Sequence, residues 1–134
     1  MMETTAQDIM TTELLTIREG TSIEDALKLL MNNRVTGTPV VNQAGEMIGV
    51  VSEFDILTQL SEMPNLGHAA LHVPVRFTRE AASISVNLEL KEIVDLFIKL
   101  KYRRLPVVDQ QGKLAGIITR RDLMRLFYYR ARLT

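Results

Sequence analysis

Apolar positions along this chain alternate between two periods, and the alternation happens twice. Ile23, Ala26, Leu27, Leu30 and Met31 stand at i, i+3, i+4, i+7 and i+8, the spacing that lays one apolar stripe along a helix. Two short β-rich runs follow, Thr38 to Val41 and Met47 to Ser52, separated by a turn containing Gly45; this reads as strand, tight turn, strand. A second helix is predicted from about Glu53 to Leu60 with Phe54, Ile56 and Leu57 as apolar members, and a short strand from about Leu15 to Ile17 precedes the first helix. Thr21 and Glu24 have the spacing of a capping box at the start of that first helix.

Sliding the chain by 67 positions lays this pattern on itself, because Asp55 then falls on Asp122. The same shift carries Thr38-Pro39-Val40-Val41 onto Leu105-Pro106-Val107-Val108, Gly45 onto Gly112 and Gly49 onto Gly116 without a gap, and the helical stripe onto Leu90, Ile93, Val94, Phe97 and Ile98. The second copy predicts strands at Ser83 to Ser85, Leu105 to Val108 and Leu114 to Thr119. Its second helix runs from about Arg120 to Arg130, with Leu123, Met124 and Phe127 as apolar members and Asn87 near the start of the first. The predicted unit is βαββα, present twice, in an α/β (α+β) chain. Residues 6–62 form the first repeat, 63–74 a connector opened by the helix-breaking Met63-Pro64-Asn65-Leu66-Gly67, and 75–130 the second repeat.

Each repeat carries Ser/Thr-x-x-Asp where its last strand becomes its last helix: Ser52 with Asp55, and Thr119 with Asp122. Unpaired N–H groups and the positive end of the helix dipole favour a phosphate at such a place. A carboxylate there can accept two hydrogen bonds, as adjacent ribose hydroxyls would donate. The same spacing is also a capping box, which stabilises a helix with no ligand at all.

The runs Gly49-Val50-Val51-Ser52-Glu53-Phe54-Asp55 and Gly116-Ile117-Ile118-Thr119-Arg120-Arg121-Asp122, the two Pro-Val-Val strands and the opening Asp8-Ile9-Met10-Thr11 together resemble the CBS-domain family. The resemblance implies two repeats packed as a pseudo-twofold pair, a Bateman module, with two related clefts for AMP, ADP, ATP or a related adenosyl compound. It further implies that one repeat supplies an adenine pocket and the other the Ser/Thr and Asp. Leu15, Thr16, Val35 and Thr38 would then serve with Thr119 and Asp122, and Ala82, Ser83, Tyr102 and Leu105 with Ser52 and Asp55. Taken singly, the apolar members of these sets also read as core. Dimerisation through the second helices is expected on the same resemblance, and Leu57, Leu60, Leu123, Leu126 and Phe127 supply more apolar surface there than one repeat needs.

Charge separates the two copies. Residues 1–82 hold 5 Lys/Arg against 11 Asp/Glu, and residues 83–134 hold 11 against 5, so an anionic ligand is expected nearer the second half. Arg103, Arg104, Arg120 and Arg121 stand where the first repeat has Thr36, Gly37, Glu53 and Phe54. Guanidinium groups suit phosphate oxygens, although basic residues on a solvated helix face give the same count.

The remaining composition excludes more than it adds. No cysteine is present, which removes thiolate nucleophiles and cysteine-based metal sites. No Ser-His-Asp, paired-carboxylate or Walker arrangement is apparent, so no catalysis is expected. His68 and His72 are four apart but have neither a third ligand nor a Glu between them, and no metal is expected there. The chain is 46% hydrophobic with no run long enough for a membrane span, and it lacks the basic, apolar start of a leader; a cytoplasmic protein without a membrane partner is expected. The basic and aromatic helix end, Arg125, Tyr128, Tyr129, Arg130 and Arg132, is read as packing on a second subunit in preference to nucleic acid. The resulting expectation is a regulatory, homodimeric module that binds an adenine nucleotide as ligand and signals to another protein. The alternative is a protein or nucleic-acid interaction domain with unoccupied clefts.

Overall fold

The computed structural model describes residues 4–79 and 82–133. The chain divides into two compact units, Leu15–Ala81 and Met1–Leu14 with Ala82–Thr134.

In the Leu15–Ala81 unit, β1 (Ile17–Arg18) leads into α2 (Ile23–Asn33), the strands β2 (Gly37–Val41) and β3 (Met47–Ser52), α3 (Glu53–Ser61), a 3₁₀ helix (His68–His72) and β4 (Thr78–Arg79). The sheet order is β1-β2-β3-β4, parallel between β1 and β2 and antiparallel elsewhere. Ile23, Ala26 and Leu30 of α2 meet Val40, Val51 and Ile56 in the core, and each buried Ile, Leu or Val side chain there contributes about 1.5 to 3 kcal/mol. Met31, the last member of the predicted stripe, is exposed. The helix starts one residue later than its capping pattern indicated: Ser22 Oγ accepts from the Asp25 N–H at 3.1 Å. Thr21 instead donates its hydroxyl to the Arg18 carbonyl at 2.7 Å, so the turn before the helix takes the first of two adjacent hydroxyl residues.

The other unit is built the same way from β5 (Ile84–Ser85), α4 (Leu90–Leu100), β6 (Arg104–Val108), β7 (Leu114–Thr119) and α5 (Arg120–Leu133). Its sheet runs β5-β6-β7. Glu89, not Asn87, is the N-cap of α4, and its side chain makes no cap. This unit also takes in a short helix that periodicity did not reveal, α1 (Ala6–Ile9). Ala6 is fully buried among Ile84, Ile93, Phe97 and Leu105, and the Ala6 N–H donates to the Leu88 carbonyl at 2.8 Å.

The leading segment of each sequence repeat is therefore built into the compact unit that holds the rest of the other repeat. Thr11 and Ile117 exchange backbone hydrogen bonds at 2.9 and 3.0 Å, while Thr78 pairs with Val50 and Arg79 with Gly49. Both junctions need glycine for close approach. A β-carbon on Gly116 would lie 2.5 Å from Met10 Sδ, and one on Gly49 would lie 2.6 Å from the Phe77 ring and against the Thr78 carbonyl. The segment in the first unit is further tied by a buried polar side chain. Gln59 donates to the Pro74 carbonyl at 2.9 Å and accepts from the Arg76 N–H at 2.8 Å, and Arg76 also pairs with Glu62.

Candidate functional site

The two Ser/Thr-x-x-Asp motifs are both capping boxes, so the helix-stabilising reading of their spacing is realised. Asp55 Oδ2 accepts from the Ser52 N–H and the Ser52 hydroxyl, each at 2.9 Å, and the Asp55 N–H donates back to Ser52 Oγ at 3.2 Å. Asp122 Oδ2 accepts from the Thr119 N–H at 2.8 Å and the Thr119 hydroxyl at 3.0 Å, with the Asp122 N–H returning to Thr119 Oγ1 at 3.2 Å. Capping consumes only one carboxylate oxygen in each motif. What faces the other oxygen differs. Asp55 Oδ1 accepts the Thr78 hydroxyl at 3.0 Å, whereas no group among the described residues donates to Asp122 Oδ1. All four motif residues are half-buried, close enough to solvent for a ligand to reach and shielded enough for a hydrogen bond to count.

Asp122 also lines a groove of about 430 Å³ between α1 and α5, together with Thr11, Asp8, Arg125, Tyr129 and Arg130. Arg130 reaches the Thr4 hydroxyl. Arg125 follows Asp122 by three residues, one helical turn, and so shares its face; in the sequence it stands out only as part of the basic and aromatic helix end. Thr11 and Thr78 were also missed. The signal for both was present, since they are related by the same 67-residue offset as Asp55 and Asp122.

A family model for the CBS domain matches residues 6–62 and 73–129. The chain belongs to the CBS domain family. It is 30% identical over 138 residues to the chloroplastic CBS domain-containing protein CBSX1 of Arabidopsis thaliana, an alignment covering 84% of this chain and 58% of that one. It is also 29% identical to the uncharacterized protein MJ1426 of Methanocaldococcus jannaschii, covering 88% of each. The solved structure of CBSX2 in complex with AMP superposes with a TM-score of 0.77 at 35% identity, covering 93% of this chain and 96% of that one. The chain spans 58% and 62% of the full lengths of CBSX1 and CBSX2.

Within the CBS chain the arginines are not equivalent. Register places Arg104 directly opposite Thr119, where directly opposed side chains share a sheet face; in the first unit Gly37 stands opposite Ser52. Arg103 and Arg121 are exposed. Arg120 donates to the carbonyls of Tyr102 at 2.8 Å and Lys101 at 3.0 Å, closing the left-handed end of α4 at Lys101. It lines the apolar groove between α4 and α5, not the one that Asp122 lines. Arg120 lies two positions before Asp122, about 200° around the helix, so closeness in sequence does not bring it to the Asp122 face.

The positions expected to contact adenine lie as follows. Thr38 is buried and donates its hydroxyl to the Leu15 carbonyl at 2.6 Å. Leu105, its counterpart, is equally buried but has no hydroxyl to donate. Leu15 is partly exposed, Thr16 half-buried, and Ala82 and Ser83 exposed. Val35 lines the groove between α2 and α3, and Tyr102 packs on the core of its own unit.

His68 and His72 bring their Nε2 atoms to 2.9 Å. Among the described residues no group of three or more His, Asp or Glu side chains is placed to hold a metal ion. No helix among them is long and apolar enough to cross a membrane.

Proposed function

We propose that this CBS chain is a regulatory module that binds an adenine nucleotide, AMP, ADP or ATP, without turning it over, and signals to another protein. The observation that carries the reading is the carboxylate of Asp122. One oxygen caps α5 and the other accepts from no described residue, while Asp122 lines an open groove, so a ribose hydroxyl has an acceptor waiting and capping need not be sacrificed. The unpaired N–H groups of the first turn of α5 offer donors to a phosphate, with Arg104 opposite Thr119 and Arg125 on the Asp122 face. The solved CBSX2 relative, in complex with AMP, supports the choice of ligand.

Calorimetric titration of ligand-stripped protein with AMP, ADP, ATP and GMP tests this. Saturable binding of at least one adenine nucleotide, tighter than GMP, is expected, and chromatography after incubation with ATP should show no release of ADP or AMP beyond the protein's own concentration. Equal affinity for GMP, or sustained nucleotide release, contradicts the reading.

We further propose a homodimer through the helix faces. Met31 and Leu57 on one unit and Ile98, Met124 and Phe127 on the other are exposed and border apolar grooves of about 390 and 420 Å³. Large exposed apolar patches of this kind mark association surfaces. Sedimentation at tens of micromolar, roughly the range where weak association shows, is expected to give twice the chain mass; a monomer there rules the dimer out.

A further inference from the structure

We propose that Thr78 determines which of the two motifs takes the ligand: its hydroxyl occupies the place of a ribose hydroxyl on Asp55 and closes that motif. The inference rests on the adenine-nucleotide reading above and adds which carboxylate is available and why.

The two carboxylates have the same chemistry and the same capping partners. They differ in the segment that passes beside them. At Asp55, the Ser52 N–H and hydroxyl hold Oδ2 and the Thr78 hydroxyl holds Oδ1 at 3.0 Å, so both oxygens already accept from the protein. At Asp122, Thr11 occupies the corresponding position on the neighbouring backbone, exchanging hydrogen bonds with Ile117, and lines the same groove. Thr11 donates nothing to Asp122 among the described residues.

Anchoring distinguishes the two segments. Residues 74–76 are held by buried Gln59, Arg76 pairs with Glu62 and Arg79 with Glu19 at 2.8 Å, and together they fix the strand that presents Thr78. The counterparts of Gln59 and Glu62 at the 67-residue offset are Leu126 and Tyr129, which cannot make those bonds. A ligand hydroxyl at Asp55 must therefore displace a donor that the protein holds in place, while at Asp122 no described residue donates to the second oxygen.

Thr78→Val keeps the shape and removes the hydroxyl; Thr78→Ser keeps the hydroxyl. Both are made in the full chain carrying Asp122→Ala, so that the remaining signal reports on Asp55, and titrated calorimetrically with AMP and separately with ATP. Thr78→Val is expected to tighten the residual binding by about 3- to 10-fold, the range of one net hydrogen bond, and Thr78→Ser to leave it unchanged. Unchanged or weaker binding by Thr78→Val, in a variant with an unaltered unfolding transition, overturns the role of Thr78. An equal gain from Thr78→Ser overturns it as well, because the hydroxyl would not be the cause. If the unmutated chain binds neither nucleotide, the adenine reading fails and this inference with it. Binding by the unmutated chain with no effect at Thr78 defeats this inference alone.

Discussion

Asp122→Ala is expected to weaken the tightest nucleotide binding by about 10- to 150-fold, and Asp55→Ala to leave it within about 2-fold of the unmutated chain. A hydrogen bond to a charged group is worth about 1.5 to 3 kcal/mol, and about 1.4 kcal/mol corresponds to a factor of ten. The asymmetry follows from what surrounds each carboxylate. Asp122 has an oxygen to which no described residue donates and a groove lined by Arg125, and Arg104 stands opposite Thr119. Asp55 has Thr78 on its second oxygen and Gly37 opposite Ser52. Both aspartate side chains hold the N-cap residue in the same way, and Asp55 also accepts from Thr78, so Asp55→Ala should lose at least as much stability as Asp122→Ala, about 0.5 to 2 kcal/mol. Asp55→Ala is thus a control for the structural cost. Equal losses of affinity, or a larger loss from Asp55→Ala, contradict the ranking.

Ala6→Asp should destabilise the protein by about 3 to 5 kcal/mol, the cost of a buried charge with no partner. Position 6 is far in sequence from the residues it touches, yet its side chain is fully buried against Ile84, Ile93 and Leu105. Ala44→Asp, on an exposed turn, should change stability by less than about 0.5 kcal/mol. Urea unfolding followed by circular dichroism compares the two. A loss under about 1 kcal/mol at position 6 would mean that the leading segment is not part of that core.

The elements that the sequence made legible are those whose apolar period is local. Met47–Ser52 and Leu114–Thr119 fall where alternation and the flanking turns put them, and the helices differ mainly at their ends. What was not legible depends on contacts between segments remote in sequence. The segments around α1 and β4 are too short to show a period, and their backbone partners lie across the chain at Leu88, Ile117 and Val50. At the motifs, the capping pair could be read from spacing alone, but the state of the second carboxylate oxygen could not, since Thr78 is 23 residues from Asp55. Arg120 shows the converse. It lies two residues before Asp122, and the left-handed end of α4 claims its guanidinium through two carbonyls. Arg125, three residues beyond Asp122, is the position that helical geometry brings to the same face.

The central claim is that the Asp122 carboxylate receives the ribose hydroxyls of an adenine nucleotide. It is tested most directly by titrating the unmutated chain and Asp122→Ala with AMP and with 2′,3′-dideoxy-AMP. If carboxylate and hydroxyls meet, removing either partner weakens binding by about the same factor, roughly 10-fold or more, and removing both adds less than about 2-fold to either single loss. Dideoxy-AMP that binds the unmutated chain as tightly as AMP, or losses that multiply in the doubly altered pair, would contradict the claim.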